Sequence, residues 1–351
     1  MPQANRVWFL SRRPEGDDFQ SALDFTSAPM PELKDGDVLI RNGYLSMDAG
    51  TRMWMNPRED SYMPPTPLGV PVQGMVLGVV TDSRHPDYRA GDLVRAYGQW
   101  ADYSVSRPDD TYVARLSWRL DDLRQYLAVF GPNGWTAYWG IVETGQAKPG
   151  ETVVISSAAG ATGALAGQVA KAIGCRVIGI TGTAEKAAWI RARFGFDDTV
   201  SYKSSDVAGE IARLCPNGVD LYYDSVAGLI LDAMLANMAL FGRIAVCGTM
   251  NNYDKTGPIP GPYKFDQILM KRLRIEGFFS PDFYHRGPEI NRKTAAWHRA
   301  GKLDMAFEEV DGLENTVAGY RRLFTGANRG KVLIKLAELS PDLVQAVSAL
   351  A

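Results

Sequence analysis

The feature that most constrains the fold of this chain is a turn of small residues between an apolar strand and a helix. The run Thr152–Ser156 has the composition of a buried strand, and Ser157–Gly163 follows it and leads into a helical pattern. Gly160 and Gly163 take the second and third places of a Gly-x-Gly-x-x-Gly fingerprint, with Ala158 at the first. Such a turn lets the backbone approach a pyrophosphate, which then lies on the unbonded amides of the helix N-terminus. Small residues can also serve close packing alone, but strand, turn and helix together predict a dinucleotide site.

The segment around this turn alternates apolar strands with helices. This alternation predicts an α/β fold with a parallel, doubly wound sheet. The predicted elements are strand Thr152–Ser156, helix Gly163–Ile173, strand Arg176–Ile180, helix Ala184–Phe194, strand Leu221–Asp224, helix Leu229–Ala239 and strand Arg243–Cys247.

The rest of the chain is richer in short β-type runs. Residues Val38–Val113 hold several of them, broken by Gly, Pro and Asp turns, which is typical of a compact β-rich domain. Lys302–Leu336 returns to short strand-like pieces, so we expect the C-terminal part to complete this first domain. A length of 351 residues suits two domains. The tail Ser340–Ala351 has the pattern of a terminal helix.

Charge and cysteine content restrict the partners and the compartment. Lys and Arg number 38 against 40 Asp and Glu, and no basic stripe is present, so we expect neither nucleic acid nor a membrane as partner. Met1–Ser11 lacks the apolar stretch of a secretory signal. Cys175, Cys215 and Cys247 lie far apart, which favours unpaired thiols in a reducing, cytoplasmic location.

The loop after the second predicted strand indicates which dinucleotide is bound. A site for NADH carries an acid at this strand end to hold the adenosine ribose, but the chain has the small residues Thr181 and Gly182 there. Lys186 follows at the start of the next helix and suits a 2′-phosphate. An exposed lysine paired with a nearby acid is the alternative. The missing acid favours NADPH.

Five motifs, spread over nearly the whole chain, stand in the order of one enzyme family. They are Tyr44–Asp48, Thr136–Tyr138, Lys148–Val154, Ala184–Lys186 and Asn328–Lys331. In these motifs the chain resembles the leukotriene B4 dehydrogenase/prostaglandin reductase branch of the medium-chain dehydrogenases/reductases, which includes plant double-bond reductases and bacterial curcumin-reductase-like enzymes. The resemblance implies a GroES-like β-rich catalytic domain, residues 1–130 and 305–351, plus a Rossmann nucleotide-binding domain, residues 131–304. It also implies zinc-independent, NADPH-dependent reduction of the carbon–carbon double bond of α,β-unsaturated ketones or aldehydes, by a homodimer.

The resemblance further implies roles for individual residues. The pyrophosphate turn comprises Ala158, Gly160, Thr162 and Gly163. The adenosine end of the site comprises Thr181, Gly182, Lys186 and Tyr202. The nicotinamide side comprises Thr136, Cys247, Gly248, Tyr253, Phe278, Phe279, Ser280 and Asn328. Tyr253 is also the candidate catalytic residue, since it matches the tyrosine that reaches both the nicotinamide ribose and the substrate. The substrate pocket comprises Tyr44, Gly50, Arg52 and Tyr253.

Several of these residues have plainer interpretations. The structural alternatives are a strand aromatic for Tyr202, a helix cap for Thr136, a turn residue for Asn328, and a loop aromatic packed on Pro258 or Pro260 for Tyr253.

The chain departs from the family pattern mainly where the substrate is expected. The family commonly has Asp-Pro-Tyr-Met-Arg where this chain has Asp48–Arg52, so Gly50 replaces an aromatic and predicts a wider pocket. The alternative is that Gly50 serves a left-handed backbone conformation. Two further departures are Ser225 within Asp224–Gly228 and Gln73 in place of an arginine.

Zinc alcohol dehydrogenases share the expected architecture but hold a metal with Cys, His and acidic ligands. Here the corresponding stretch, Gly69–Gly74, carries no such ligand, and the histidines are only His85, His285 and His298. We therefore expect no metal. Without one, conjugate hydride addition is favoured, because hydrogen bonds can stabilise the enolate that it forms. The alternatives are an NADPH quinone reductase and a catalytically idle NADPH-binding protein.

Overall fold

The computed structural model describes residues 4–118 and 120–339, and the chain divides into two compact units. One unit contains the residues up to Leu127 together with those from Phe307 onward, and the other is Ala128–Ala306. The predicted helix Ser340–Ala351 lies outside the described residues.

The described residues form strands and helices whose bounds are as follows. The strands are β1 Ala4–Leu10, β2 Leu23–Pro29, β3 Val38–Ser46, β4 Val70–Pro71, β5 Gln73–Ser83, β6 Leu93–Gln99, β7 Tyr103–Ser106, β8 Val113–Arg115, β9 Thr152–Ile155, β10 Arg176–Thr181, β11 Asp198–Ser201, β12 Val219–Asp224, β13 Met238–Val246, β14 Arg274–Gly277, β15 Phe307–Asp311 and β16 Lys331–Lys335. The helices are α1 Thr51–Trp54, α2 Pro132–Tyr138, α3 Ala161–Ile173, α4 Ala184–Phe194, α5 Val207–Leu214, α6 Gly228–Asn237, α7 Asp266–Lys271, α8 Gly287–Arg299 and α9 Thr316–Thr325.

The first unit is β-rich, as the sequence predicts. β1 pairs antiparallel with β2 and β4, and a larger sheet runs in the order β15-β16-β3-β5-β6-β8, with β7 paired to β3. β3 lies inside this sheet and contributes Val38, Ile40 and Leu45 to the core, where they join Trp100 and Tyr320. The late strand β16 pairs with β3, so the C-terminal part completes this unit.

The second unit contains the predicted parallel sheet. Its strands run in the order β11-β10-β9-β12-β13-β14, and every neighbouring pair is parallel. The strand order reverses beside β9, and ligands of such sheets bind outside the carboxyl ends of the strands at this point. The predicted helix Leu229–Ala239 is too long by two residues, because Met238 already begins β13.

Candidate cofactor and active site

The turn between β9 and α3 is fixed by its own backbone. The amide of Ala158 donates to the carbonyl of Ile180 at 3.1 Å, which ties the turn to β10, and Gly160 is the N-cap residue of α3. A Cβ on Gly163 would stand 2.4 Å from the carbonyl oxygen of Ser157, so a side chain cannot fit without moving the backbone. The turn thus leaves the first amides of α3 close to the carboxyl edge of the sheet, where a pyrophosphate can accept from them.

Thr162, in the first turn of α3, is held by a residue that the sequence analysis missed. The side-chain amide of Asn133 donates to the hydroxyl of Thr162 at 3.0 Å. Asn133 lies in the first turn of α2, directly after Pro132. In the sequence, Pro132 indicates the start of a helix next to Asn133. No local pattern predicts the contact of Asn133 with Thr162, which is 29 residues away.

The residues predicted for the adenosine end lie where β10 and β11 end side by side. β10 ends at Thr181, which is buried, so no acid stands at this strand end. The amide of Tyr202 donates to the carbonyl of Thr181 at 2.9 Å, and the Tyr202 hydroxyl would be 3.3 Å from a Cβ on Gly182. Tyr202 follows β11 and is therefore not a strand residue.

Lys186 lies in the first turn of α4, which begins directly after this loop. Thr183 is the N-cap residue, and its hydroxyl accepts from the Lys186 amide at 3.3 Å. The cap fixes the start of α4 beside Gly182. The helix start also offers a positive dipole end, which adds to the attraction of the lysine for a phosphate.

Three of the residues predicted for the nicotinamide side lie at or just after the carboxyl ends of β12 and β13. The amides of Cys247 and Gly248 both donate to the carbonyl of Asp224, at 2.7 and 3.2 Å. The hydroxyl of Tyr253 lies over Gly248, only 2.6 Å from where a Cβ of that residue would be. The predicted residues Cys247, Gly248 and Tyr253 are therefore brought together.

Tyr223, near the end of β12, contacts two of the residues predicted for the nicotinamide side, and the sequence did not single it out. Its hydroxyl donates to the carbonyl of Thr136 at 3.5 Å, and its ring makes an edge contact with Phe278 at a centroid distance of 6.1 Å. Thr136 lies inside α2 and donates to the Pro132 carbonyl at 2.6 Å, so it is not a helix cap. Phe279 and Ser280 follow Phe278 at the start of a short 3-10 turn.

Among the polar groups next to these residues, Tyr223 and Asp224 are buried and Cys247 is partly buried. Burial raises the pKa of the Cys247 thiol to about 11, and burial, with the nearby Cys247 and Tyr253, raises the pKa of Tyr223. Burial also raises the pKa of the Asp224 carboxyl, although its Oδ1 accepts from the amides of Val226 and Ala227 at 2.9 and 3.0 Å. Because Cys247 and Tyr223 stay protonated at neutral pH, both present uncharged groups here.

In the first unit, the segments that carry Gly50 and Asn328 adjoin each other. The buried Lys331 donates to the carbonyl of Met47 at 3.2 Å and to the carboxylate of Asp48 at 2.5 Å. The side-chain amide of Asn328 donates to the carbonyl of Gly330 at 3.4 Å, a turn-like contact. The buried lysine therefore holds the Asp48 segment against the Asn328 turn.

Gly50 has room around it. Its φ is −58°, so the alternative of a left-handed conformation is wrong. The nearest atom to a Cβ built on Gly50 is the hydroxyl of Tyr62, at 3.7 Å. No backbone atom outside the neighbouring residues lies within 4 Å of that Cβ.

The other two predicted pocket residues have neighbours of their own. The buried guanidinium of Arg52 donates to the carbonyls of Pro14 and Gly16, at 2.9 and 3.2 Å, and bonds Asn56. These contacts give Arg52 a structural role in the loop before β2. Tyr44 lines a small cavity of about 210 Å³ with residues 121–124 and Leu339. Contact of Arg52 or Tyr44 with a substrate stays a prediction.

The part of the chain that the structure describes holds no group of three or more His, Cys, Asp or Glu side chains placed to bind a metal ion. Among its helices, none is long and apolar enough to cross a bilayer.

The chain is similar in sequence and structure to known oxidoreductases. Residues 6–113 match the family described as the N-terminal domain of oxidoreductase, and residues 161–295 match the family described as zinc-binding dehydrogenase. An NADPH-dependent curcumin reductase from Escherichia coli is 38% identical over 95% of this chain and 98% of its own length. A 2-alkenal reductase (NADP(+)-dependent) from Nicotiana tabacum is 36% identical over 86% of this chain and 88% of its own length. The crystal structure of CurA in complex with NADPH from Vibrio vulnificus has a TM-score of 0.88 and 33% identity, and the match covers 95% of this chain and 100% of that chain.

Proposed function

Because the chain belongs to the medium-chain dehydrogenase/reductase family, alongside curcumin, alkenal and prostaglandin reductases, we propose that it reduces the carbon–carbon double bond of α,β-unsaturated ketones and aldehydes with NADPH. The observation that carries this proposal is the pyrophosphate turn with Gly163 packed on Ser157, in a chain similar over most of its length to NADPH-dependent double-bond reductases.

We propose that the cofactor binds at the carboxyl edge of the parallel sheet and contacts the residues that the sequence predicts for it. The proposed pyrophosphate contacts are Ala158, Gly160, Thr162 and Gly163, and the proposed adenosine contacts are Thr181, Gly182, Lys186 and Tyr202. The proposed nicotinamide-side residues are Thr136, Cys247, Gly248, Tyr253, Phe278, Phe279, Ser280 and Asn328. Support comes from the absence of an acid at the end of β10, which leaves Lys186 to favour a 2′-phosphate.

In the proposed reaction, hydrogen bonds stabilise the negative charge of the enolate, so no charged acid is required. Bound NADPH supplies the hydride, which adds to the β-carbon of the substrate. The negative charge then moves onto the carbonyl oxygen, where the Tyr253 hydroxyl donates a hydrogen bond. The same hydroxyl, or solvent, supplies the proton to the α-carbon. We propose that Gly50, which has no side chain, leaves the substrate pocket wider at this position. We also propose that the reaction is independent of zinc, since Gly69–Gly74 carries no metal-binding side chain.

We further propose that the protein is a homodimer that pairs through β14. All four residues of this edge strand are exposed, and on the described residues its strand partner is β13 alone. Exposed apolar side chains lie on β14 itself, on its partner β13 and on the preceding helix α7, namely Ile275, Leu240, Phe241, Leu269 and Met270. A second copy could pair with the edge and cover these side chains.

Light scattering of the unmodified protein should give the mass of a dimer. Leu269→Glu should lower the measured mass, whereas Leu68→Glu, which changes an exposed leucine in the other unit, should not. A monomer mass for the unmodified protein would reject this proposal.

We propose a cytoplasmic location, because unpaired thiols are typical of proteins in a reducing compartment. The three cysteines, all within the described residues, are unpaired, and two of them are buried.

The function is tested by measuring NADPH oxidation with a panel of enones, enals and quinones, and by identifying the products. We expect saturated ketones and aldehydes. Hydroquinones without saturated products would indicate a quinone reductase, and tight NADPH binding without turnover would indicate an idle binding protein.

A further inference from the structure

The loop that carries Tyr253 is tied to the residues after β12. The amide of Met250 donates to the carbonyl of Ser225 at 3.1 Å, and the amide of Asn251 donates to the carbonyl of Val226 at 3.1 Å. Tyr253 follows this turn, and its own amide donates to the carbonyl of Met250 at 3.3 Å. Because the loop backbone is held in this way, the side-chain torsions of Tyr253 decide where its hydroxyl lies.

Gly248 lies directly under that hydroxyl. A Cβ on Gly248 would stand 2.6 Å from the oxygen of Tyr253, closer than real Cβ contacts come, while the Tyr253 ring carbon Cζ would be at an ordinary 3.7 Å. Gly248 is not among the residues with a positive φ. Its backbone conformation is therefore open to other residues, and the crowding comes from the hydroxyl.

The backbone at Gly248 is held in place. Its amide and that of Cys247 share the carbonyl of Asp224 as acceptor, and β13 pairs with β12 up to this point, Asp224 opposite Val246. A methyl group added at Gly248 would accordingly be accommodated by rotation of Tyr253, whose hydroxyl is the far end of a side chain, and not by movement of the strand.

We propose that Gly248 is a positioning residue for Tyr253. Because Gly248 has no Cβ, the Tyr253 hydroxyl can occupy the space beside its α-carbon, just after β13. This inference rests on the catalytic role proposed above for Tyr253. It gives Gly248 a task distinct from the direct approach of its backbone to the cofactor.

A double-mutant cycle with Gly248→Ala and Tyr253→Phe tests the proposal in the full-length enzyme. Each single variant should lower kcat for an enone by about 100-fold, within the range for one acid–base group. The double variant should be no slower than either single variant, because phenylalanine lacks the oxygen that the new methyl group meets and its Cζ lies at a contact distance. Losses that multiply in the double variant would overturn the proposal and assign Gly248 to the cofactor or the fold.

A control and a structural measurement complete the test. Gly257→Ala adds a methyl group in the same loop where no atom lies within 4 Å, and it should leave kcat within about twofold of the parent. A crystal structure of Gly248→Ala should show the Tyr253 hydroxyl displaced, and an unmoved hydroxyl would overturn the proposal. This second readout needs no turnover, so it separates failure of the positioning role from failure of the proposed function. If Gly248→Ala does not fold, the double variant should, and its failure to fold would also overturn the proposal.

Discussion

Gly163 and Gly50, one in each unit, differ sharply in the space around their α-carbons. A Cβ on Gly163 would meet the backbone oxygen of Ser157 at 2.4 Å, whereas a Cβ on Gly50 would meet only the Tyr62 hydroxyl, at 3.7 Å. The fold therefore dictates the residue at the proposed pyrophosphate turn and leaves the residue at the proposed substrate wall open to change. It follows that changes on the cofactor side should affect all substrates alike, while changes at Gly50 should alter the preference among substrates.

Gly163→Ala should have the largest effect. Its methyl group forces the turn apart, so we expect a loss of about 1–3 kcal/mol in the free energy of unfolding. NADPH and NADH should both bind about 100-fold more weakly or worse, since charge-assisted bonds to the pyrophosphate contribute about 1.5–3 kcal/mol each and more than one is lost. Calorimetry of unfolding and a fluorescence titration of each cofactor measure the two effects.

Gly167→Ala is the matched control for the cofactor turn. It lies one turn further along α3, and its Cβ would meet the Phe196 ring at 2.0 Å. It should reduce stability while the surviving folded protein keeps its NADPH affinity. If Gly163→Ala and Gly167→Ala lose equal NADPH affinity, the pyrophosphate turn does not contact the cofactor.

Lys186→Ala should have the next largest effect, and on one cofactor only. Loss of a charge-assisted contact to the 2′-phosphate should weaken NADPH by about 1.5–3 kcal/mol and leave NADH nearly unchanged. Arg191→Ala is the control, because it removes a positive charge from the last turn of the same helix. It shows how much NADPH affinity is lost through the change in net charge alone. Equal weakening of NADPH and NADH by Lys186→Ala would reject the assignment.

Gly50→Tyr should have the smallest effect, confined to substrate choice. Because Gly50 has an ordinary φ and open space, the free energy of unfolding should change by no more than about 0.5 kcal/mol. The ratio of kcat/KM for small over bulky enones should rise by about 5–10-fold, as apolar contact is restored for small substrates and space is lost for bulky ones. A folded variant with normal NADPH affinity and an unchanged ratio would show that Gly50 does not shape the pocket.

The same contrast explains what the sequence could predict. The strand, turn and helix around Gly160 follow from local patterns, since apolar runs and turn chemistry act over a few residues. Tyr223 and Asn133 were missed because their roles depend on partners 87 and 29 residues away. β14 was missed because its four residues are exposed and give no alternating apolar pattern. The space around Gly50 depends on Tyr62, which local patterning does not place.

The most direct test of the account follows the hydride itself. NADPH carrying deuterium at the transferable C4 position is incubated with the enzyme and an enone, and the product is analysed by NMR and mass spectrometry. If the enzyme reduces the carbon–carbon double bond, the product is a saturated ketone with the deuterium on its β-carbon. Deuterium on the former carbonyl carbon of an allylic alcohol would contradict the proposed double-bond reduction.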